Sequence, residues 1–117
     1  MRRRSVLMAA LLGATAAWAA PAPAERARIE RLIDFVEAQK DIRFVRNGND
    51  YSAKDAGKFL RGKFDKMGEH VSTAQQFIEQ IASKSSTSDE PYVIRFTDGR
   101  EMPAAKFLSD ELKRMDR

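Results

Sequence analysis

The stretch PYVIRFTDGREMP, Pro91 to Pro103, decides the fold class of this chain. Tyr92-Val93-Ile94-Arg95-Phe96-Thr97 is β-branched and aromatic and follows a proline, which predicts a strand. Asp98-Gly99 suits a two-residue hairpin turn, so Arg100-Glu101-Met102 is expected to return as an antiparallel partner. Pro103 then fits the first position of a closing helix in which Phe107, Leu108, Leu112 and Met115 are apolar. A hairpin is thus set into a chain whose longer segments carry the helical period.

Working back from that hairpin, Ser72 or Thr73 caps a helix with Phe77, Ile78, Ile81 and Ala82 on its inner face and Lys84 in its last turn. Before it, Ser52-Ala53-Lys54-Asp55 resembles a capping box and opens a helix with the stripe Ala56, Phe59, Leu60, Phe64 and Met67, ending at Gly68. Ile42-Arg43-Phe44-Val45-Arg46 reads as a short strand that stops at Asn47-Gly48, a pair suited to positive φ. From Glu25 to about Ala38, the apolar residues Ile29, Leu32, Ile33 and Val36 fall at i, i+3, i+4 and i+7. The expected order is α-β-α-α-β-β-α. This is an α+β domain, a small antiparallel sheet of two to three strands packed on one face against about four helices.

The N-terminus carries a different message. Arg2-Arg3-Arg4 is a charged segment, Ser5 to Ala16 is apolar, and Ala17-Trp18-Ala19 places small residues where a signal peptidase reads. The expected organisation is a signal peptide over 1–19, cleavage between Ala19 and Ala20, a Pro/Ala linker over 20–24 and one domain over 25–117. The apolar run falls short of the roughly 20 residues that a membrane span needs and ends at Pro21 and Pro23. No stable anchor is expected after cleavage, and the expected location is the periplasm. Arg3-Arg4 has a twin-arginine flavour, but no polar residue precedes it and no cofactor motif follows, so Sec export is favoured.

Charge and cysteine usage exclude several functions. Lys and Arg number 21 against 17 Asp and Glu, a net of +4. Without Arg2, Arg3 and Arg4 the count is 18 against 17, a net of +1 that offers no global field to nucleic acid. There is no cysteine, hence no thiol catalysis, CxxC redox site, disulfide framework or lipidated cysteine.

The hydroxyl cluster Ser83, Ser85, Ser86, Thr87 and Ser88 invites a nucleophile, which needs a base within reach. His70 is the lone histidine, and neither Ser-x-x-Lys nor Gly-x-Ser-x-Gly spacing occurs. A helix stop, with hydroxyls competing for backbone hydrogen bonds, is the stronger reading. Anion binding through the hydroxyls and Lys84 is opposed by the helix C-terminus that the loop follows. Asp65 and Glu69 share a helix face at i,i+4, but His70 points elsewhere and a zinc site wants three or four convergent ligands, so no metal and no cofactor is expected. Lys54, Lys58 and Arg61 line one side of the second helix, with Lys63 and Lys66 nearby. Asp55, Asp65 and Glu69 interleave with them, which predicts a solvated face. Phe44, Phe59, Phe64, Phe77, Phe96 and Phe107 are expected in the core. Tyr51 and Tyr92 sit beside turns, where a phenol buries its ring and offers its hydroxyl to a partner; Tyr92 could equally hydrogen-bond the Ser85 to Ser88 loop and hold it closed.

Taken together, Phe44-Val45-Arg46-Asn47-Gly48, Ala56 with Leu60-Arg61 and Lys63, Thr73-Ala74-x-x-Phe77-Ile78, Ala82-Ser83-x-Ser85-Ser86 and Pro91-Tyr92 resemble the YfeK-like family of short exported proteobacterial proteins. The resemblance runs from about Ile29 to Leu112 and implies a signal peptide and a domain of unknown function. Two positions depart from the family pattern. Phe59 stands where the family often has a histidine before Leu-Arg, and Asp89-Glu90 stands where it favours a glycine before Pro-Tyr.

The expected site is a polar rim of Arg46, Asn47, Ser83, Ser85, Ser86 and Tyr92 on a non-enzymatic interaction module that engages an unidentified envelope protein or ligand. The competing expectation is a small hydrolase-like enzyme acting on envelope material through Asp or Glu with Ser residues or His70, which requires converging titratable groups in a cleft. Both turn on whether the Arg46-Asn47 turn and the Ser83 to Ser88 loop meet.

Overall fold

The computed structural model describes residues 20–117. The expected signal segment, residues 1–19, lies outside the described residues. Helix α1, Pro23–Ala38, opens with a proline in its first turn and buries Ile29, Leu32, Ile33 and Val36. Strand β1, Ile42–Arg46, and strand β2, Asn49–Ser52, form a hairpin. Helix α2, Ala53–Met67, begins on the next residue; the Ser52 side chain accepts the Asp55 amide, and Ala53, Ala56, Gly57, Leu60 and Phe64 are buried.

After a 3-10 turn at Gly68–His70, helix α3 spans Ala74–Gln80. Its start is triply secured. Thr73 Oγ1 accepts the Gln76 amide at 3.1 Å, Gln76 Oε1 accepts the Ser72 amide at 2.6 Å, and Glu25 Oε1, on α1, accepts the Ala74 amide at 2.8 Å. These are amides that a helix N-terminus otherwise leaves unsatisfied. Strand β3, Val93–Phe96, strand β4, Glu101–Pro103, and helix α4, Ala104–Met115, complete the chain.

All strand pairs are antiparallel, in the order β2-β1-β3-β4. Ile42, Phe44, Tyr92 and Ile94 are buried on the helix-covered face. On the other face Arg95 hydrogen-bonds Asp50 at 2.7 Å and Glu101 at 2.9 Å. The chain therefore holds two strand-strand-helix units, β1-β2-α2 and β3-β4-α4, that meet along the β1:β3 seam.

The α+β class and the expected order hold, with one more strand than the sequence suggests. Strand β2 is polar and edge-bound, so it lacks the apolar alternation that marks a half-buried strand. Its position is set by Asn47 (φ 51°) and Gly48 (φ 79°), which together form a two-residue turn of the I′ kind. The other turn differs from expectation in the opposite direction. Phe96 pairs with Arg100 across a three-residue loop, with Gly99 alone at positive φ (91°), the geometry of a turn followed by a glycine bulge. Two further boundaries shift: Pro103 ends β4 and precedes α4, and α3 stops at Gln80, so Lys84 does not belong to its last turn. Lys84 instead forms an isolated bridge with Pro91.

Glu25 also joins Arg28 at 2.7 Å, and Arg28 reaches Asp116 at 2.6 Å. The Ala74 amide and then Arg28 hold the Glu25 carboxyl below its ordinary value of 4.5. A depressed folded-state pKa adds stability that is present above the unfolded value and lost as pH falls through the folded one. Glu25→Ala is expected to lower stability by about 1.5 kcal/mol at neutral pH. In urea titrations the gap from the parent should shrink as pH drops below 4.5; a gap independent of pH would show that the carboxylate charge is not what secures α3.

Candidate binding groove

The I′ turn aims Asn47 at the hydroxyl loop. Ser88 Oγ donates to Asn47 Oδ1 at 2.5 Å, and Asn47 Nδ2 donates to Ser85 Oγ at 3.4 Å. Ser85, 2% exposed, also accepts the Thr87 and Ser88 amides and contacts Thr87 Oγ1 at 3.0 Å. Its backbone closes the loop, the amide donating to Glu90 and the carbonyl accepting from Asp89, which takes φ 61°. The two segments do meet. Ser85 is a staple inside the loop, and none of its partners is a base.

Beside this loop lies a groove of about 440 Å³ between α2 and the loop. Its floor is Phe59, Met67 and Tyr92; Ser85, Ser86 and Thr87 form one wall; Arg46, Lys58, Lys63 and Lys66 surround it. Phe59, Gly62, Lys63, Lys66 and Met67 reach it together because i, i+3, i+4, i+7 and i+8 share a helix face. No Asp or Glu lines the groove. Among the described residues, none of its four cations forms an ion pair. Arg61, on the same helix, is by contrast engaged with Glu30 at 2.9 Å and Asp34 at 3.2 Å.

Two of the four cations, Arg46 and Lys63, rest against aromatic rings instead of carboxylates. The Arg46 guanidinium lies 4.6 Å above the Phe59 ring, and Lys63 Nζ lies 4.9 Å from the Tyr92 ring centre. Such contacts offset part of a cation's desolvation but leave its charge uncompensated. Lys63 Nζ donates to the Lys84 carbonyl at 3.0 Å and to the Tyr92 hydroxyl at 2.9 Å, which leaves one of its three donors free. Arg46 has a single long contact, Nη1 to the Tyr51 hydroxyl at 3.4 Å, and its buried Nε has no partner.

Of the expected rim, Arg46, Ser85, Ser86 and Tyr92 line this groove, while Asn47 braces the loop from behind. Ser83 does not line it; its hydroxyl donates to the Glu79 carbonyl at 2.6 Å and helps to end α3. The Tyr92 hydroxyl engages Lys63 rather than the serine loop, because its ring is buried against Phe44 at 5.1 Å and Phe59 at 5.7 Å, and only the backbone amide reaches the loop, at Ser83. The Lys58, Lys63 and Lys66 face is the part that charge interleaving obscured, since Asp55, Asp65 and Glu69 pair with none of them. His70 is exposed in the 3-10 turn and lines neither this groove nor its neighbours. Among the described residues no three His, Asp or Glu converge as metal ligands.

A larger hollow of about 500 Å³ lies at the opposite end of the sheet, where Lys40, Arg43, Lys54 and Arg95 share the lining with Glu37 and Asp41. Its lining carries charges of both signs, whereas the charged residues of the 440 Å³ groove are all cations. No helix among the described residues is long and apolar enough to cross a membrane.

The chain is 36% identical over 92 residues to the uncharacterized protein YfeK of Salmonella typhimurium (strain LT2), an alignment that covers 79% of this chain and 77% of that relative. No solved structure matches. Residues 23–116 match the family described as "Family of unknown function (DUF5329)", and the chain belongs to that family.

Proposed function

We propose that this protein is an exported, non-enzymatic binding module that holds an anionic ligand in the groove between α2 and the Ser85 to Thr87 loop. One observation carries the reading: four cations, Arg46, Lys58, Lys63 and Lys66, surround a single apolar-floored groove that contains no acidic residue. Clustered like charges in a partly dehydrated hollow repel one another, and an anion relieves that repulsion. Export is supported by the Arg-rich, apolar and Ala-Trp-Ala segments at residues 1–19.

A single preparation tests both halves. Protein expressed from the full-length gene and purified after export should lack tryptophan emission, because Trp18 is the sole tryptophan. Persistent emission would overturn cleavage after Ala19. Titrated with inorganic phosphate at low salt and followed by amide NMR, that protein should shift at Lys58, Lys63, Lys66 and Thr87. Added sodium chloride should weaken the effect, and Lys63→Gln with Lys66→Gln should reduce affinity about tenfold, some 1.4 kcal/mol. Shifts confined to other surfaces would remove the site.

A further inference from the structure

We propose that the ligand is a monomeric amphipathic organic anion, whose apolar body lies on the bare backbone of α2 at Gly62 while its charged end meets Lys63, Lys66 and Arg46. This rests on the groove being the binding site, and it specifies what the groove accepts.

Gly62 is the key residue. Glycine within a helix weakens it, so its presence there calls for a reason. The other two glycines near α2 have packing reasons: a Cβ at Gly57 would meet Glu37 Cβ at 2.8 Å, and one at Gly68 would meet the Phe64 ring at 3.0 Å. At Gly62 an added Cβ meets nothing within 4 Å, and the position takes no positive φ. No protein neighbour demands the missing side chain. What Gly62 does is hold the groove wall open, between Phe59 and Lys63 on one side and Lys66 and Met67 on the other.

The remaining chemistry identifies the occupant. A bare inorganic ion would meet the lysines but leave the half-buried Phe59 and Met67 against water. A neutral apolar molecule would cover that floor while leaving four like charges unanswered. A compound with both parts satisfies both, and the 440 Å³ volume lies in the range of small-molecule pockets, roughly 300 to 1,000 Å³. A macromolecular partner would have to cover about 800 Å² of a standard interface, more than this hollow presents.

Exported full-chain product is titrated with decanoate, decanol and inorganic phosphate, as the parent and as Gly62→Leu, with circular dichroism confirming that the variant is folded. Decanoate should bind about tenfold or more tighter than either phosphate or decanol. Gly62→Leu should weaken decanoate by about tenfold, and by clearly more than it weakens phosphate. Decanoate binding no tighter than phosphate, or unaffected by Gly62→Leu, overturns the amphipathic ligand and leaves the anion-binding module standing. Decanol binding as tightly as decanoate overturns the amphipathic anion as ligand, and no binding by either anion overturns the ligand class and the module together.

Discussion

Tyr92→Ala should lower stability by about 4 kcal/mol, while Tyr92→Phe should lower it by about 1 kcal/mol. The ring is 1% exposed and wedged between Phe44 and Phe59 at centroid distances of 5.1 and 5.7 Å. Truncation therefore removes buried aromatic surface and opens a cavity at the point where β3 leaves the serine loop. The hydroxyl does something separate, which is to accept Lys63 Nζ at 2.9 Å. Phenylalanine keeps the packing and releases the ammonium, so it should change anion affinity more than stability. Urea unfolding of both variants checks this. Equal losses would place the energy in the hydrogen bond rather than the ring.

The second large effect separates two glycines on one helix. Gly57→Leu should destabilise by about 3 kcal/mol through overpacking, because even a Cβ there lies 2.8 Å from Glu37 Cβ on α1. Relaxation would have to move a backbone, since Cβ is not the free end of a side chain. Gly62→Leu adds the same atoms into open space and gains the helix propensity of leucine, stabilising by up to about 0.8 kcal/mol. Thermal unfolding should move in opposite directions for the two variants. If Gly62→Leu destabilises as strongly as Gly57→Leu, the wall at Gly62 is not open.

The fold class was legible in the sequence because its strongest signals were local: the period of Ile29, Leu32, Ile33 and Val36, the Ser52 and Thr73 caps, and the Tyr92 to Thr97 strand. Strand β2 was not, since Asn49-Asp50-Tyr51-Ser52 holds its place through turn geometry rather than apolar pattern. Arg46, Ser85, Ser86 and Tyr92 could be singled out as polar or amphipathic residues near turns. The lysine face could not, because spacing along a helix shows which charges are neighbours and not which of them pair. Arg61 turns towards the acids of α1, whereas Lys58, Lys63 and Lys66 face the groove.

The seam between the two strand-strand-helix units has a kinetic consequence. Each unit is closed by local contacts, a hairpin and the helix that leaves it, whereas the seam pairs Val45 with Val93. Joining them closes a loop of roughly fifty residues before any seam contact is rewarded. Folding speed should therefore respond to Phe44 and Ile94, which face each other across the seam, and much less to Tyr51 or Met102 at the outer strands. In chevron plots Phe44→Leu should slow refolding, while Met102→Ala should chiefly accelerate unfolding. A seam substitution that changes only the unfolding arm would mean that the halves dock after the barrier. Otherwise the two halves of this small chain behave as separately assembled pieces whose union sets the pace.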